Sequence, residues 1–259
     1  MLSTDFVFGA PNWIDLGAPD TGAAAAFYGA LFGWQLQDAG PDAGGYGFFM
    51  RDGAMVAAVG PLDEEGARSA WNIYFQTPDA DAAAEAVTKA GGTVRVPPFD
   101  VFEEGRMAAF TDPTGADFSV WQPGNTSGIE AASTPGSLSW TELQTSNVAA
   151  AKEFYAEVFG WQLRDMPMDG FEYTVARPQG TGEGADHAGM MQISSEMAAG
   201  GAVSMWQPYF EVADCDAVCA KAAELGATVF MGAETIEGVG RLAAFGDPAG
   251  AAFAIIASA

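Results

Sequence analysis

The sequence predicts an α+β protein built from two similar domains in tandem. Three observations carry this reading. Two blocks of sequence recur in the same order, each copy alternates strand-like and helix-like segments, and a seam rich in Gly, Ser, Thr and Pro separates the copies. Residues 27–38, FYGALFGWQLQD, return at 154–165 as FYAEVFGWQLRD, matching at eight of twelve positions with an offset of 127. Residues 105–118, GRMAAFTDPTGADF, return at 240–253 as GRLAAFGDPAGAAF, matching at ten of fourteen with an offset of 135. The second copy therefore carries eight extra residues between the blocks, and the Gly-rich stretch Gln179 to His187 is the expected place for them. The period is far longer than a solenoid repeat, so each copy is expected to be a domain. The seam, Gln122 to Ser137, has no apolar period and reads as a linker. The expected boundaries are a first domain at 1–124, a linker at 125–135 and a second domain at 136–259.

Taken in order, Asn12 to Gly17 alternates as a strand does. Pro19-Asp20-Thr21 opens a helix, capped by Asp20 or Thr21, which runs to about Phe32 and stops at Gly33. Short strands are expected near Tyr46–Met50 and Ala54–Val59, and a further one at Asn72–Thr77. A second helix, Asp79 to Ala90, is closed by Gly91-Gly92. The copy ends in two strands near Arg106–Thr111 and Asp117–Trp121, joined by the turn Asp112-Pro113-Thr114-Gly115. Copy two follows the same order, with helices near 147–159 and 214–225.

Composition limits the function classes. The chain of 259 residues has 49% apolar residues, enough for two ordinary cores. No apolar run approaches the ~20 residues that span a bilayer. The start, Met1 to Pro11, carries Asp5 and no basic cluster, unlike a signal peptide; a cytoplasmic protein is expected. The 34 acidic against 10 basic residues give a net charge of −24, which repels phosphate backbones and anionic lipid. Nucleic acid and membrane surfaces are therefore not expected partners. Cys215 and Cys219 lie four apart on the second helix of copy two with no His nearby, a poor zinc site. They read as small residues on a helix face. The single histidine, His187, reads as a solvated side chain of the inserted loop.

A strand, then Asp or Asn seven residues before F-Y on a helix ending in F-G-W, and a late D-P-x-G-A turn together resemble the vicinal oxygen chelate superfamily. That superfamily includes glyoxalase I, bleomycin-resistance proteins and extradiol dioxygenases. The resemblance covers nearly the whole chain, twice. It implies paired βαβββ modules whose strands curl into a cup-shaped sheet, two modules to a cup. It also implies metal-ligand positions, which fall here on Trp13, Asn72 and Ser119 in copy one and on Trp140, Gln207 and Ala254 in copy two. Two indoles, two amides, a hydroxyl and a methyl group are no ligand set for a divalent ion, which asks for about three imidazole or carboxylate donors. No metal and no cofactor is expected.

Strand alternation then assigns the faces of each cup. Ile14, Leu16, Ile73 and Phe75 should pack on the helices. Trp13, Asp15, Asn72, Tyr74 and Gln76 should line the first cup, joined by Trp121 from the last strand. Trp140, Glu142, Gln144, Gln207, Tyr209 and Glu211 should line the second. Aromatic walls with a few polar anchors are the usual make-up of a small-molecule site, although the same rings could simply fill the barrel. Arg106 and Arg241 are candidate internal partners for Asp15 and Glu142. The leading functional expectation is a metal-independent binding protein, a monomer or homodimer, that sequesters an aromatic or planar metabolite or antibiotic. The alternative is a cofactor-independent tailoring enzyme, an isomerase, cyclase or hydroxylase-like protein. Asp15 or Glu142 would be its general base and Tyr74 or Tyr209 its acid. A scaffold with filled cups is the third.

Overall fold

The computed structural model describes residues 2–62, 66–168, 171–182 and 184–259. Copy one runs β1 (Pro11–Ala18), α1 (Thr21–Phe32), β2 (Gln35–Asp38), β3 (Gly47–Arg51), β4 (Ala54–Pro61), β5 (Ala70–Gln76), α2 (Ala80–Lys89), β6 (Thr93–Val101), β7 (Gly105–Thr111) and β8 (Asp117–Pro123). Copy two runs β9 (Leu138–Thr145), α3 (Val148–Phe159), β10 (Gln162–Met168), β11 (Phe171–Arg177), β12 (Ala188–Gln192), α4 (Ser195–Ala199), β13 (Met205–Glu211), α5 (Cys215–Glu224), β14 (Thr228–Ile236), β15 (Gly240–Gly246) and β16 (Ala252–Ser258). These are four βαβββ modules. Each copy forms one eight-stranded sheet, in the orders β2-β3-β4-β1-β5-β8-β7-β6 and β10-β11-β12-β9-β13-β16-β15-β14. The edge strands β6 and β14 bend at register shifts, which add curl. Asp15 pairs with Ala58 and Glu142 with Gly189, so four of the eight extra residues of copy two fall in the β11–β12 connection and the other four between β12 and β13, where α4 lies, rather than all of them before His187.

The helices begin where the sequence supplies a cap. Asp20, Asp79 and Asp214 accept from the backbone N–H three residues on, at 2.9, 2.9 and 3.0 Å, and Asn147 does the same at 3.1 Å. Gly33 and Gly160 close α1 and α3 in the left-handed region, at φ 76° and 65°. Ile14, Leu16, Ile73 and Phe75 are fully buried. No helix of the described residues is long and apolar enough to cross a membrane.

The chain divides into two compact units, and each takes segments from both copies. The first holds residues 2–13, 73–128 and 140–207; the second holds 14–72, 129–139 and 208–259. The recurring sequence blocks meet inside these units. In the first, Tyr155 of the copy-two F-Y motif donates to Asp112 of the copy-one turn at 3.0 Å and accepts from Trp206 Nε1 at 2.7 Å. In the second, Tyr28 donates to Asp247 at 3.1 Å and accepts from Trp71 Nε1 at 3.0 Å. Each Asp also ties its own turn, Asp112 through the N–H groups of Thr114 and Ala116 and Asp247 through those of Ala249 and Ala251. Burial, then the neighbouring carboxylate, pushes both phenols well above their ordinary pKa. The Trp of each F-G-W motif is pinned by its indole N–H, Trp161 to Gly9 O at 2.9 Å and Trp34 to Gly136 O at 2.8 Å.

His187 corrects an expectation. It is 2% exposed rather than solvated, its imidazole set edge-on to Trp161 with ring centroids 5.0 Å apart. The glycine-rich segment before it looks like loose loop. At His187 itself, however, the backbone N–H donates to Ala176 and the carbonyl accepts from Thr141, which draws the ring inward. Burial holds this imidazole neutral, with a pKa lowered to about 3.

Candidate functional site

The first compact unit contains a continuous polar chain built from copy two. Trp140, Glu142 and Gln144 project from alternate positions of β9, and Gln207 from β13. Trp140 Nε1 donates to Tyr173 Oη at 3.0 Å, and Tyr173 Oη donates to Glu142 Oε2 at 2.9 Å. Gln144 Nε2 donates to Gln207 Oε1 at 2.9 Å and lies 3.5 Å from Glu142 Oε1. Tyr173 stands on β11, two strands from β9, and it reaches Glu142 because Gly189 lies between them. Gly189 is in register with Glu142, and a Cβ there would fall on the Tyr173 hydroxyl. The hydrogen bonds run in one direction, from indole through phenol to carboxylate. The buried Glu142 accepts at the end of this run.

The same unit contains part of the copy-one lining. Trp13 and Trp121 stack on each other, with centroids 6.4 Å apart and planes 22° from parallel, and they are 6% and 7% exposed. Trp121 is fixed twice: its indole N–H donates to Thr126 O at 2.8 Å, and its ring occupies the space a Cβ of Gly105 would need. Tyr74 is buried in register with Ser119, and Gln76 lies in register with Trp121. Gln76 Oε1 is a buried acceptor without a partner among the described residues.

In the second unit, Asp15 of β1 accepts from Tyr46 Oη at 2.9 Å. Asn72 is half-buried at the third position of β5. Tyr209 of β13 is buried in register with Ala254. Glu211, at the end of β13, accepts from the hydroxyls of Ser139 and Ser258 at 2.8 and 2.7 Å and from Ser258 N at 3.0 Å, which makes it a tie between strand ends.

Sequence reasoning did not single out Tyr46 and Tyr173, the hydroxyls that bond the two carboxylates; Tyr74 and Tyr209 are its acids for the enzyme alternative. The signal was present, because Tyr46 and Tyr173 stand at the same offset of 127 as Asp15 and Glu142. The arginine expectation is overturned. Arg106 bonds Asp81 at 2.9 Å and Asp100 at 2.8 Å, and Arg241 bonds Asp216 at 2.8 Å. Both guanidiniums reach the acidic first turn of a neighbouring helix rather than a cup interior, and their pKa values rise through those hydrogen bonds. Two surface hollows, of about 240 and 210 Å³, touch neither Trp13 nor Trp140. Both are smaller than the usual small-molecule pocket.

Four βαβββ modules in two eight-stranded sheets define the fold class of the chain. The chain belongs to the Glyoxalase/Bleomycin resistance protein/Dioxygenase superfamily, which it matches over residues 10–120 and again over 137–255. It is 40% identical over 272 residues to the Anthracycline biosynthesis protein DnrV of Streptomyces peucetius, covering 98% of this chain and 94% of that one. It is 40% identical over 270 residues to the Anthracycline biosynthesis protein DauV of Streptomyces sp. (strain C5), with the same coverage. Among solved structures, the Mn(II)-bound glyoxalase from Novosphingobium aromaticivorans superposes with a TM-score of 0.67 at 18% identity, over 96% of this chain and 82% of that one. This likeness is one of fold.

A divalent metal does not fit the corresponding positions here. Trp140 Nε1 is a donor already committed to Tyr173, Gln207 Oε1 accepts from Gln144, Trp13 is stacked under Trp121, and Ala254 offers no donor atom. Among the described residues no three His, Cys, Asp or Glu side chains group as metal ligands.

Proposed function

We propose that the protein binds a planar aromatic small molecule of secondary metabolism, held by an indole face and a hydrogen-bonded carboxylate, without a metal. The observation that carries this reading is the chain Trp140–Tyr173–Glu142, which places a half-buried aromatic face beside an anchored acceptor. The kinship to two proteins of anthracycline biosynthesis supports a fused-ring ligand. The protein works in the cytoplasm as a monomer or homodimer, apart from nucleic acid and membrane, in keeping with a net charge of −24.

A second reading has its own support. A carboxylate bonded to a phenol, as in Glu142–Tyr173 and Asp15–Tyr46, is a general base with a proton donor beside it, as a cofactor-independent tailoring enzyme would need. Titration calorimetry with quinizarin, a neutral hydroxyanthraquinone, tests the leading reading. Saturable binding that survives chelator supports it; no binding across hydroxyanthraquinones and their glycosides refutes it. Product appearing from quinizarin during incubation would favour the enzyme.

A further inference from the structure

The stacked pair of copy one is a template for what copy two lacks. Trp13 and Trp140 stand at the same place in the repeat, on equivalent strands. The face of Trp13 is covered by a parallel ring, that of Trp121, which is locked by Thr126 and Gly105. The residue that answers to Trp121 in copy two is Ile256, and among the described residues no aromatic ring stacks on Trp140. Trp140 is half-buried where Trp13 is buried. Its indole plane is nevertheless held still, because Nε1 is bonded to Tyr173, which is in turn bonded to Glu142. A fixed, uncovered indole face is a pre-organised stacking platform.

We propose that the protein carries one ligand site, in copy two. There a fused-ring aromatic molecule stacks on Trp140 as Trp121 stacks on Trp13, while copy one is closed by its own Trp121. This rests on the binding reading above and assigns its site and charge preference. Glu142 and the acidic surface select neutral or cationic ring systems and disfavour anionic ones. The open acceptor of copy one, Gln76 Oε1, is a single amide oxygen and presents no ring face.

The test titrates quinizarin, and separately the anion anthraquinone-2-sulfonate, into the full chain by calorimetry. One quinizarin per chain is expected, with the sulfonate at least tenfold weaker. Trp140→Leu should weaken quinizarin at least tenfold, Trp140→Tyr should keep most of the affinity, and Trp13→Leu should change it less than about threefold. Trp121→Ile uncovers Trp13 and should raise the stoichiometry towards two. In wild-type protein labelled with 5-fluorotryptophan, the Trp140 resonance should move by ring current on adding quinizarin while those of Trp13 and Trp121 stay. This last measurement does not depend on any variant folding. Binding lost in Trp13→Leu and kept in Trp140→Leu, two ligands per wild-type chain, or a moving Trp13 resonance beside a still Trp140 would each overturn the assignment and leave the binding reading intact. No binding of quinizarin, other hydroxyanthraquinones or their glycosides would overturn both.

Discussion

The two copies share a backbone plan and differ in how they use the same first strand. In copy one, Trp13 is covered by another tryptophan and Asp15 is met by Tyr46. In copy two, the equivalent Trp140 and Glu142 are joined through one hydroxyl, Tyr173, and the chain extends through Gln144 to Gln207. Duplication thus kept the carboxylate–phenol pair in both copies and changed what lies over the indole. The pair is the common inheritance, and the covering ring is where the copies separate. The core shows the opposite tendency. Tyr28–Asp247–Trp71 and Tyr155–Asp112–Trp206 are near-identical arrangements, each made from both copies.

The strongest way to break the comparison is to cut the chain at the seam. Each compact unit draws on both copies, so residues 1–135 and 136–259 expressed apart should each lack a cooperative monomeric transition. Mixing them should restore one, read by circular dichroism and sedimentation. A stable, monomeric 1–135 fragment would show that the copies, rather than the mixed units, are the folding domains.

The next effect is confined to copy two, which carries the only histidine. His187 has a folded pKa of about 3, below the 6.5 of an exposed imidazole. The unfolded chain therefore binds the extra proton first as pH falls. Stability attributable to this residue is complete above about pH 6.5 and is lost progressively down to about pH 3, by up to about 5 kcal/mol at 1.36 kcal/mol per unit. His187→Phe should flatten denaturant midpoints across that window. An unchanged slope of stability with pH would show that the imidazole is hydrated.

Much of this organisation was legible and part was not, for physical reasons. The repeat blocks, the Asp and Asn caps and the Gly33 stop are local signals, and they placed α1 and its partners. Strands β2 and β6 were not foreseen: β2 is exposed throughout, and β6 mostly so, leaving no alternation to read. The carboxylates and indoles of the candidate site followed from strand parity, but their hydroxyl partners lie on strands reached only through sheet pairing. Arg106 and Arg241 were misplaced because a long side chain can leave its strand and follow the helix cap beside it. The crossing of F-Y motifs with D-P-x-G turns between copies could not be read at all, since it depends on how the modules pair in space.

A smaller effect sharpens the core side of the comparison. Tyr28→Phe and Tyr155→Phe each remove a hydroxyl from a buried Asp and a buried indole N–H. Each should cost about 1–3 kcal/mol in chemical denaturation, because the groups left behind lose a partner they cannot replace. The two costs should agree closely. A difference above about 1 kcal/mol would mean that one unit has relaxed its triad and that the copies have diverged in the core as well.

The smallest expected effect decides between binder and enzyme, and it lies in the pair the copies share. Glu142→Gln keeps the shape of the side chain and one oxygen to accept from Tyr173, while it removes the charge. Asp15→Asn does the same beside Tyr46. A binding site uses the carboxylate as an anchor, so quinizarin affinity should fall only a few-fold in Glu142→Gln and not measurably in Asp15→Asn. Tyr173→Phe frees Trp140 Nε1 from its restraint and should weaken binding by a similar few-fold, with no change expected from Tyr46→Phe. A general base has no such tolerance, since removing it typically lowers a rate by ~10²–10⁴-fold. If a turnover assay shows product from wild-type protein and Glu142→Gln abolishes it while calorimetric affinity holds, the carboxylate is a base and the binding reading gives way to the enzyme. If affinity and turnover instead respond to Asp15→Asn and ignore Glu142→Gln, the working copy is the first, and the covering Trp121 must yield to the ligand.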